Sequence, residues 1–303
     1  MSTLTALLPW RADELPGPLP LGVVAEYFAG FEQPAAAVLA AVEFYVLPYM
    51  GPSDHVALMK QMPRMRVVQT LTAGVDNVLG HVPPGVVLCN AAGVHDASTA
   101  ELAVGLILAK LRGIDSAARD LATATWDHGN HQSLADSTVM IIGFGHVGQA
   151  IGARLAPFEV ELVPVALHAR PGVHGVEDIP ALLPNADVVV LALPLTQGTE
   201  RFVDAQFLAL MKAGALLVNV ARGRVVDTDA LVAGLRSERI QAALDVTDPE
   251  PLPPDHPLWT APGVLITAHL GGATTAFPPR GKRLVLEQLE RYAAGQLLAN
   301  LIS

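Results

Sequence analysis

A glycine-rich turn between a strand and a helix constrains this chain more than any other feature of its sequence. The run Val139-Met-Ile-Ile-Gly143-Phe-Gly145-His-Val-Gly148 has the spacing Gly-x-Gly-x-x-Gly, and a helical stretch follows it. Gly143 would permit a tight turn, Gly145 would let the backbone approach a pyrophosphate, and Gly148 would let the helix pack close to the strand. The amides that begin such a helix bind phosphate. The pattern predicts a dinucleotide site at Gly143, Gly145, His146, Val147 and Gly148.

Short apolar runs separated by helical stretches fill the first hundred residues. They are rich in Val and Leu and are bounded by Gly or Pro, as buried strands are. The predicted strands are Thr3–Leu8, Val23–Phe28, Val42–Leu47, Val67–Thr72 and Val86–Cys89, and the predicted helices are Pro34–Val42 and Ser53–Met62. Because strands alternate with helices, the sequence predicts parallel βαβ units.

A long helical stretch and a second α/β region follow. The residues from Ser98 to Thr125 predict one helix that is apolar nearly all round in its first half, with Asp96 and Ser98 near its N-cap. Such a helix is buried on more than one side, here by packing between two domains or, in addition, at a subunit interface. Six strand-like runs then match a dinucleotide-binding sheet: Val139–Ile142, Leu162–Val165, Val188–Leu193, Ala215–Val220, Ala242–Val246 and Val264–Thr267. An amphipathic helix is predicted over Lys282–Leu298.

Composition and charge narrow the classes of partner. The 303 residues are enough for two domains, and the net charge of −10 argues against nucleic acid or an anionic membrane surface as a partner. The single cysteine, Cys89, excludes an internal disulfide and a thiolate metal cluster. We see no signal peptide, no metal-ligand spacing and no apolar run of the roughly 20 residues that span a bilayer. We therefore expect a cytoplasmic protein without a metal.

The residues after the second strand of the nucleotide region bear on the choice of cofactor. That strand ends at Ala166, where an NAD site has Asp or Glu to bind the ribose 2′-hydroxyl. His168 and Arg170 follow, and a guanidinium binds the 2′-phosphate of NADP, which a carboxylate would repel. The sequence favours NADP. The alternative is that Arg170 is a solvated loop residue and that NAD is used.

Three rare polar residues follow predicted strands in the second half of the chain. They are Arg222, Glu250 and His269. Ligands bind at the carboxyl edge of a parallel sheet, where these side chains would converge as an anion anchor, an orienting carboxylate and a proton donor. Each has an ordinary structural explanation alone, as a surface arginine, the end of a strand or a loop histidine. Their joint occurrence favours an active site.

Ordered motifs occur over most of the chain. They are Ala73-Gly-Val-Asp76, Gly143–Gly148, Leu193-Pro-Leu-Thr196, Asn219-Val-Ala-Arg222-Gly-Arg-Val-Val-Asp227, Leu244-Asp-Val-Thr-Asp-Pro-Glu-Pro251 and Thr267-Ala-His269. Together they resemble the D-isomer-specific 2-hydroxyacid dehydrogenase family, which includes glyoxylate/hydroxypyruvate reductases and phosphoglycerate dehydrogenases. Several motifs in order are far more specific than any one of them.

The resemblance implies a role for each site residue. Arg222 would hold the carboxylate and carbonyl oxygens of the substrate, and His269 would exchange a proton with the ketone oxygen. Glu250 would bond the other imidazole nitrogen and favour its protonated form. Asp245 would contact the nicotinamide carboxamide. The backbone amides of Ala73, Gly74 and Val75 would receive the substrate carboxylate, and further cofactor contacts would come from Pro194, Thr199, Val220 and Ala221.

The resemblance also implies an architecture and an activity. Two Rossmann-like or flavodoxin-like domains with doubly wound parallel sheets would face each other across a cleft. Residues 1–98 and 275–303 would form the substrate-binding domain, and residues 99–274 the dinucleotide-binding domain. The implied protein is a homodimer that transfers hydride between NADP(H) and a small 2-oxo acid, with glyoxylate or hydroxypyruvate as first candidates. The alternatives are an NAD-using phosphoglycerate-type dehydrogenase and a dinucleotide-sensing, corepressor-like binding protein.

Overall fold

The chain forms two compact units, each built on a parallel sheet. A computed structural model describes residues 3–52 and 54–302, and Ser53, with which one predicted helix begins, lies outside the described residues. Unit 1 comprises the residues up to His95 and those from Thr275 onward, and unit 2 runs from Asp96 to Thr274. The predicted α/β class is confirmed.

Unit 1 contains a five-stranded sheet in which every pairing is parallel. Its strands are β1 (Leu4–Leu8), β2 (Val23–Tyr27), β3 (Val42–Val46), β4 (Val67–Gln69) and β5 (Val87–Cys89), and its first helices are α1 (Ala36–Ala41) and α2 (Asp54–Ala57). The strands lie in the order β2-β1-β3-β4-β5. All five strands expected from the apolar runs are confirmed, and β4 is the one most shortened.

Both faces of this sheet are covered by apolar side chains. Successive residues of a strand point to opposite faces. Phe44 packs on one face with Leu289 of the last helix, Phe277–Ala293 (α9). Tyr45 packs on the other face with Leu39 of α1. Burial on both sides explains why these strands are continuous apolar runs rather than alternating ones.

Unit 2 contains a seven-stranded parallel sheet. Its strands are β6 (Thr138–Ile142), β7 (Glu161–Ala166), β8 (His174–Gly175), β9 (Val188–Leu191), β10 (Leu216–Asn219), β11 (Gln241–Leu244) and β12 (Val264–Ile266). Its helices are α3 (Asp96–Leu111), α4 (Ile114–Asp120), α5 (His146–Leu155), α6 (Ile179–Leu182), α7 (Ala205–Leu210) and α8 (Thr228–Arg236). The strand order is β12-β11-β10-β9-β6-β7-β8. The six predicted strands are confirmed, and β8 is a short addition at the edge.

The order of strands reverses at β6, which pairs with β7 on one side and β9 on the other. In a sheet of this kind, ligands bind outside the carboxyl ends of the strands where the order reverses. The glycine-rich turn follows β6 directly. The topology therefore predicts a ligand site at this edge of unit 2.

The prediction of one helix from Ser98 to Thr125 is wrong, because the stretch breaks into α3 and α4. Gly113 lies between them with φ of +64°, a left-handed conformation that ends a helix. The Lys110 ammonium and the Asp115 carboxylate form a buried ion pair across the break at 2.9 Å. The apolar surface of α3 packs against the sheet of unit 2 and against α5.

The last helix is also displaced from its predicted bounds. It begins at Phe277 rather than Lys282, since prolines are tolerated in a first helical turn, and it ends at Ala293 before Gly295, whose φ is +65°. Beyond it, Leu301 forms an antiparallel bridge with Cys89 at the end of β5. None of the helices in the part of the chain described here has the length and apolar character needed to cross a membrane.

Candidate active site

The glycine-rich turn of unit 2 has no space for side chains at two of its three glycines. Gly143 has φ of +98°, and a Cβ there would lie 2.5 Å from the carbonyl carbon of Ala192. A Cβ on Gly148 would overlap the carbonyl oxygen of Gly143. Both positions therefore require glycine, and α5 is held directly against the end of β6.

The third glycine leaves an open approach to the first turn of α5. Gly145 is the N-cap, and apart from its neighbours in the chain no described residue has an atom within 4 Å of where its Cβ would be. No side chain of the described residues caps this helix end, so its first amides are accessible to a ligand. His146 is exposed and Val147 is half-buried in this first turn. The turn fits a pyrophosphate bound at a helix N-terminus.

Arg170 lies against this turn. Its Nη2 donates to the carbonyl oxygen of Phe144 at 2.7 Å. The loop that carries it is closed by backbone hydrogen bonds between Arg170 and Val173 in both directions. Ala166 ends β7 without a carboxylate, and His168 is exposed two residues later. The structure therefore brings the guanidinium, but no acidic group from the end of β7, to the glycine-rich turn.

The predicted cofactor contacts after β9 and β10 lie in ordered turns. The Thr199 hydroxyl donates to the carbonyl oxygen of Pro194 at 2.6 Å and accepts from the amide of Thr196 at 2.7 Å. That hydroxyl is used within its own loop and gives the loop its shape. Val220 and Ala221 are buried directly after β10.

Unit 2 contains a hydrogen-bonded pair of a histidine and a carboxylate. Nδ1 of His269 donates to Oε1 of Glu250 at 2.6 Å, since a carboxylate can only accept. This hydrogen bond raises the pKa of His269 above its ordinary value, against the opposing effect of burial. The same bond lowers the pKa of Glu250. The pair therefore favours a charged imidazolium beside a charged carboxylate, and its hydrogen bond uses Nδ1 rather than Nε2.

Asp245 holds the loop that carries His269. Its backbone carbonyl accepts the amide of His269 at 2.8 Å, and its carboxylate accepts the amides of Leu270 at 2.7 Å and Gly271 at 2.9 Å. It also accepts the hydroxyl of Thr267 at 2.6 Å. Asp245 is only 3% exposed, and His269 has φ of +53°, a conformation that a non-glycine residue adopts only when its surroundings impose it. The family resemblance implies a cofactor contact for Asp245, and this anchoring was not predicted.

Arg222 stands within electrostatic reach of the pair. Its positive charge lowers the pKa of both Glu250 and His269. Its backbone is held by Asn219, whose Nδ2 donates to the Arg222 carbonyl oxygen at 3.0 Å and whose Oδ1 accepts the amide of Ala221 at 3.0 Å. Asn219 is buried at the end of β10 and was not predicted as a site residue. Its signal in the sequence is an amide side chain at the end of an otherwise apolar strand.

Gly223 ties the arginine loop to the glutamate loop. A Cβ at this position would overlap the backbone carbonyl of Thr247 and lie 2.6 Å from the amide nitrogen of Asp248. Two backbone segments therefore touch where any side chain would separate them. This contact brings the Arg222 turn against the segment that leads to Glu250.

The predicted substrate loop belongs to unit 1. Ala73, Gly74 and Val75 follow the carboxyl end of β4 and are half-buried. Within residues 3–52 and 54–302, no cluster of three or more His, Cys, Asp or Glu side chains could hold a metal ion.

Comparison with known proteins identifies a family model and relatives that this chain matches. The family model described as "D-isomer specific 2-hydroxyacid dehydrogenase, NAD binding domain" matches residues 104–271. A glyoxylate reductase of Thermofilum pendens is 33% identical over 263 residues, which cover 81% of this chain and 77% of that enzyme. A D-3-phosphoglycerate dehydrogenase of Methanocaldococcus jannaschii is 33% identical over 257 residues, covering 81% of this chain. This chain spans 49% of the length of that relative.

The chain is also similar to a solved structure over its full length. The D-isomer specific 2-hydroxyacid dehydrogenase of Xanthobacter autotrophicus Py2, in complex with NADPH and MES, has a TM-score of 0.79 and 27% sequence identity. The match covers 100% of this chain and 98% of that one. The resemblance expected from the sequence motifs is confirmed. The chain therefore belongs to the D-isomer-specific 2-hydroxyacid dehydrogenase family of NAD(P)-dependent enzymes.

Proposed function

We propose that this protein transfers hydride between NADP(H) and a small 2-oxo acid, with glyoxylate or hydroxypyruvate as the first candidates. The observation that carries the proposal is the hydrogen-bonded pair of His269 and Glu250 with the charge of Arg222 beside it. Unit 2 would be the dinucleotide-binding domain and unit 1 the substrate-binding domain. The relatives named as glyoxylate reductases support the substrate class.

Each group of the site has a defined part in the reduction. When bound, the nicotinamide supplies the hydride. His269 donates the proton from Nε2 to the ketone oxygen, and Glu250 holds the ring through Nδ1 and stabilises its charged form. Arg222 stabilises negative charge that develops on the substrate oxygens. In the oxidation of a D-2-hydroxy acid, neutral His269 takes the proton back.

A panel of 2-oxo acids tests the proposal. Purified protein is assayed by nicotinamide absorbance with glyoxylate, hydroxypyruvate, pyruvate, oxaloacetate and phenylpyruvate, and with 3-phosphoglycerate in the oxidising direction. Rapid NADPH oxidation that Arg222→Ala abolishes would support a 2-oxo acid reductase. Oxidation of 3-phosphoglycerate with NAD would favour the phosphoglycerate-type alternative. Dinucleotide binding without turnover of any substrate would favour the sensing protein and contradict the proposal.

We expect Arg170 to set the preference for NADPH. Arg170→Ala should raise KM for NADPH about 10- to 100-fold, the usual effect of losing a charge-assisted hydrogen bond, and leave KM for NADH nearly unchanged. The reason is that only NADPH carries the 2′-phosphate that a guanidinium would bind. Steady-state kinetics with both cofactors measures the effect. Arg236→Ala, a change at an exposed arginine at the end of α8, is the matched control. An equal loss with both cofactors would contradict the NADP assignment.

We also propose a homodimer. Trp126 is 94% exposed and Leu121 is 83% exposed, in a stretch from 121 to 133 whose side chains are all exposed. Large apolar side chains exposed together mark association surfaces. Light scattering should therefore give twice the 31.8 kDa of one chain, and Trp126→Ser should weaken association. A wild-type protein that remains monomeric at micromolar concentration would contradict this proposal.

A further inference from the structure

The loop Ala73–Val75 presents its amides and not its carbonyls. The Ala73 carbonyl oxygen accepts Nδ2 of Asn90 at 2.7 Å, and the Gly74 carbonyl oxygen accepts the hydroxyl of Thr72 at 2.8 Å. The N–H groups of Ala73, Gly74 and Val75 donate no hydrogen bond to any residue in the ranges 3–52 and 54–302. Three consecutive donors are therefore left for a ligand, and an acceptor is what they would bind.

The two side chains also determine where the amides point. In a trans peptide plane the C=O and the following N–H lie on opposite sides. Asn90, by binding the Ala73 carbonyl, therefore directs the N–H of Gly74 away from itself. Thr72 does the same for the N–H of Val75 through the Gly74 carbonyl. Both donors are oriented before any ligand arrives, which reduces the ordering cost of binding.

Asn90 is itself fixed by a buried polar network. Its Oδ1 accepts the amide of Ala92 at 3.0 Å, which orients its side-chain amide. Its backbone N–H donates to the Asn300 carbonyl at 3.0 Å, and its carbonyl accepts Nε2 of Gln69 at 2.9 Å. Gln69 in turn accepts Nε2 of Gln288 of α9 at 2.8 Å, and both glutamines are fully buried. The last helix and the segment after it thus hold the residue that orients the loop.

We propose that Thr72 and Asn90 are positioning residues that orient the amides of Gly74 and Val75 toward the carboxylate of the substrate. This role rests on the proposed function, since it assigns the carboxylate of a 2-oxo acid to these donors. Neither side chain takes part in the proton or hydride transfer. Their contribution is to the binding of the carboxylate group, equally in the ground state and in the transition state.

The test separates binding from chemistry. Thr72→Val removes the hydroxyl at nearly constant shape, and it should raise KM for the 2-oxo acid about tenfold with kcat changed by less than about twofold, as expected when uniform binding is lost. The inhibition constant of oxamate, a carboxylate analogue that does not react, should rise in the same proportion. Thr72→Ser keeps a hydroxyl and should restore both values. Asn90→Leu should repeat the result of Thr72→Val.

The controls distinguish this role from general loss of structure. Thr260→Val removes a longer hydroxyl-to-carbonyl contact, of 3.5 Å to Pro257, on the exposed surface of unit 2 and should change neither constant. NADPH affinity, measured by fluorescence titration, should be the same in all variants. If Asn90→Leu does not fold, Thr72→Val still decides the matter. If the Thr72→Val protein has the same kcat, KM and oxamate inhibition constant as the wild-type protein, the positioning role is overturned. If the wild-type protein reduces no 2-oxo acid, the proposed function and this role are overturned together.

Discussion

Replacement of His269 by alanine is expected to lower kcat/KM for 2-oxo acid reduction about 10²- to 10⁴-fold, the contribution of a positioned general acid. Nδ1 of His269 is bound to Glu250 at 2.6 Å, so Nε2 is the ring nitrogen free to donate to a ketone oxygen. Without the imidazole the developing alkoxide must take its proton from water. Steady-state assays at saturating NADPH, with NADPH affinity measured separately, would locate the loss in chemistry rather than in cofactor binding.

A second histidine of the same unit provides the control for this prediction. His174 is exposed, and its Nδ1 lies 3.4 Å from the Asp178 carboxylate, so it resembles His269 in having an acidic neighbour. His174→Ala should leave kcat/KM unchanged. Added imidazole should restore part of the activity of His269→Ala by replacing the lost proton donor. If the His269→Ala protein keeps more than about a tenth of the wild-type kcat/KM, the assignment of His269 as the general acid is wrong.

Glu250→Gln is expected to move the pH dependence of the reaction. The hydrogen bond that His269 donates to Glu250 is the main cause of the raised pKa of His269, and the charge of Arg222 acts in the opposite direction. Reduction needs the protonated ring, so the fall of kcat/KM at high pH should occur at lower pH in the variant. A bond to a charged group contributes about 1.5–3 kcal/mol, so reduction above the wild-type pKa should fall about 10- to 100-fold.

Glu250→Gln is expected to favour oxidation of a D-2-hydroxy acid and to disfavour reduction of the 2-oxo acid. The oxidation assay therefore checks the prediction independently. Oxidation needs the neutral ring, and a lowered pKa of His269 in Glu250→Gln should extend oxidation to lower pH. pH profiles of kcat/KM in both directions measure the two effects on one protein. Glu238→Gln, at an exposed glutamate after α8, should leave both profiles in place. A fall in both rates by the same factor at every pH, with neither profile moved along the pH axis, would contradict the coupling of Glu250 to His269.

Much of the fold could be predicted because local patterns determine it. Each parallel strand is buried on both faces, so it appears in the sequence as a continuous apolar run between Gly or Pro. The turn at Gly143–Gly148 could be predicted from its glycine spacing between a strand and a helix, although the contact that requires glycine at 143 comes from Ala192, after β9. The break at Gly113 was missed because glycine is tolerated within a helical pattern, and its left-handed backbone is evident only in the folded structure.

Some residues of the candidate site could be selected from the sequence, and others could not. Arg222, Glu250 and His269 could be selected from the sequence because polar residues are rare after apolar strands. The anchoring role of Asp245 could not, since it depends on amides of residues 270 and 271 that reach the carboxylate only when β11 and β12 are paired. Thr72 and Asn90 were also missed, because their hydrogen bonds to the carbonyls of Gly74 and Ala73 form only in the folded structure.

The sequence by itself determined the alternation of strands and helices and the spacing of the glycine-rich turn, because these are local patterns along the chain. Arg222, Glu250 and His269 were predicted as reacting groups from their positions after strands and from the resemblance to the family. Only the tertiary structure decided which side chains and backbone groups contact one another and how they are oriented. The left-handed conformation of His269, the close contact of Gly223 with the Thr247 backbone and the orientation of the loop Ala73–Val75 depend on hydrogen bonds and packing between segments far apart in sequence. Such contacts have no periodicity along the chain, so their geometry exists only once the sheets have formed.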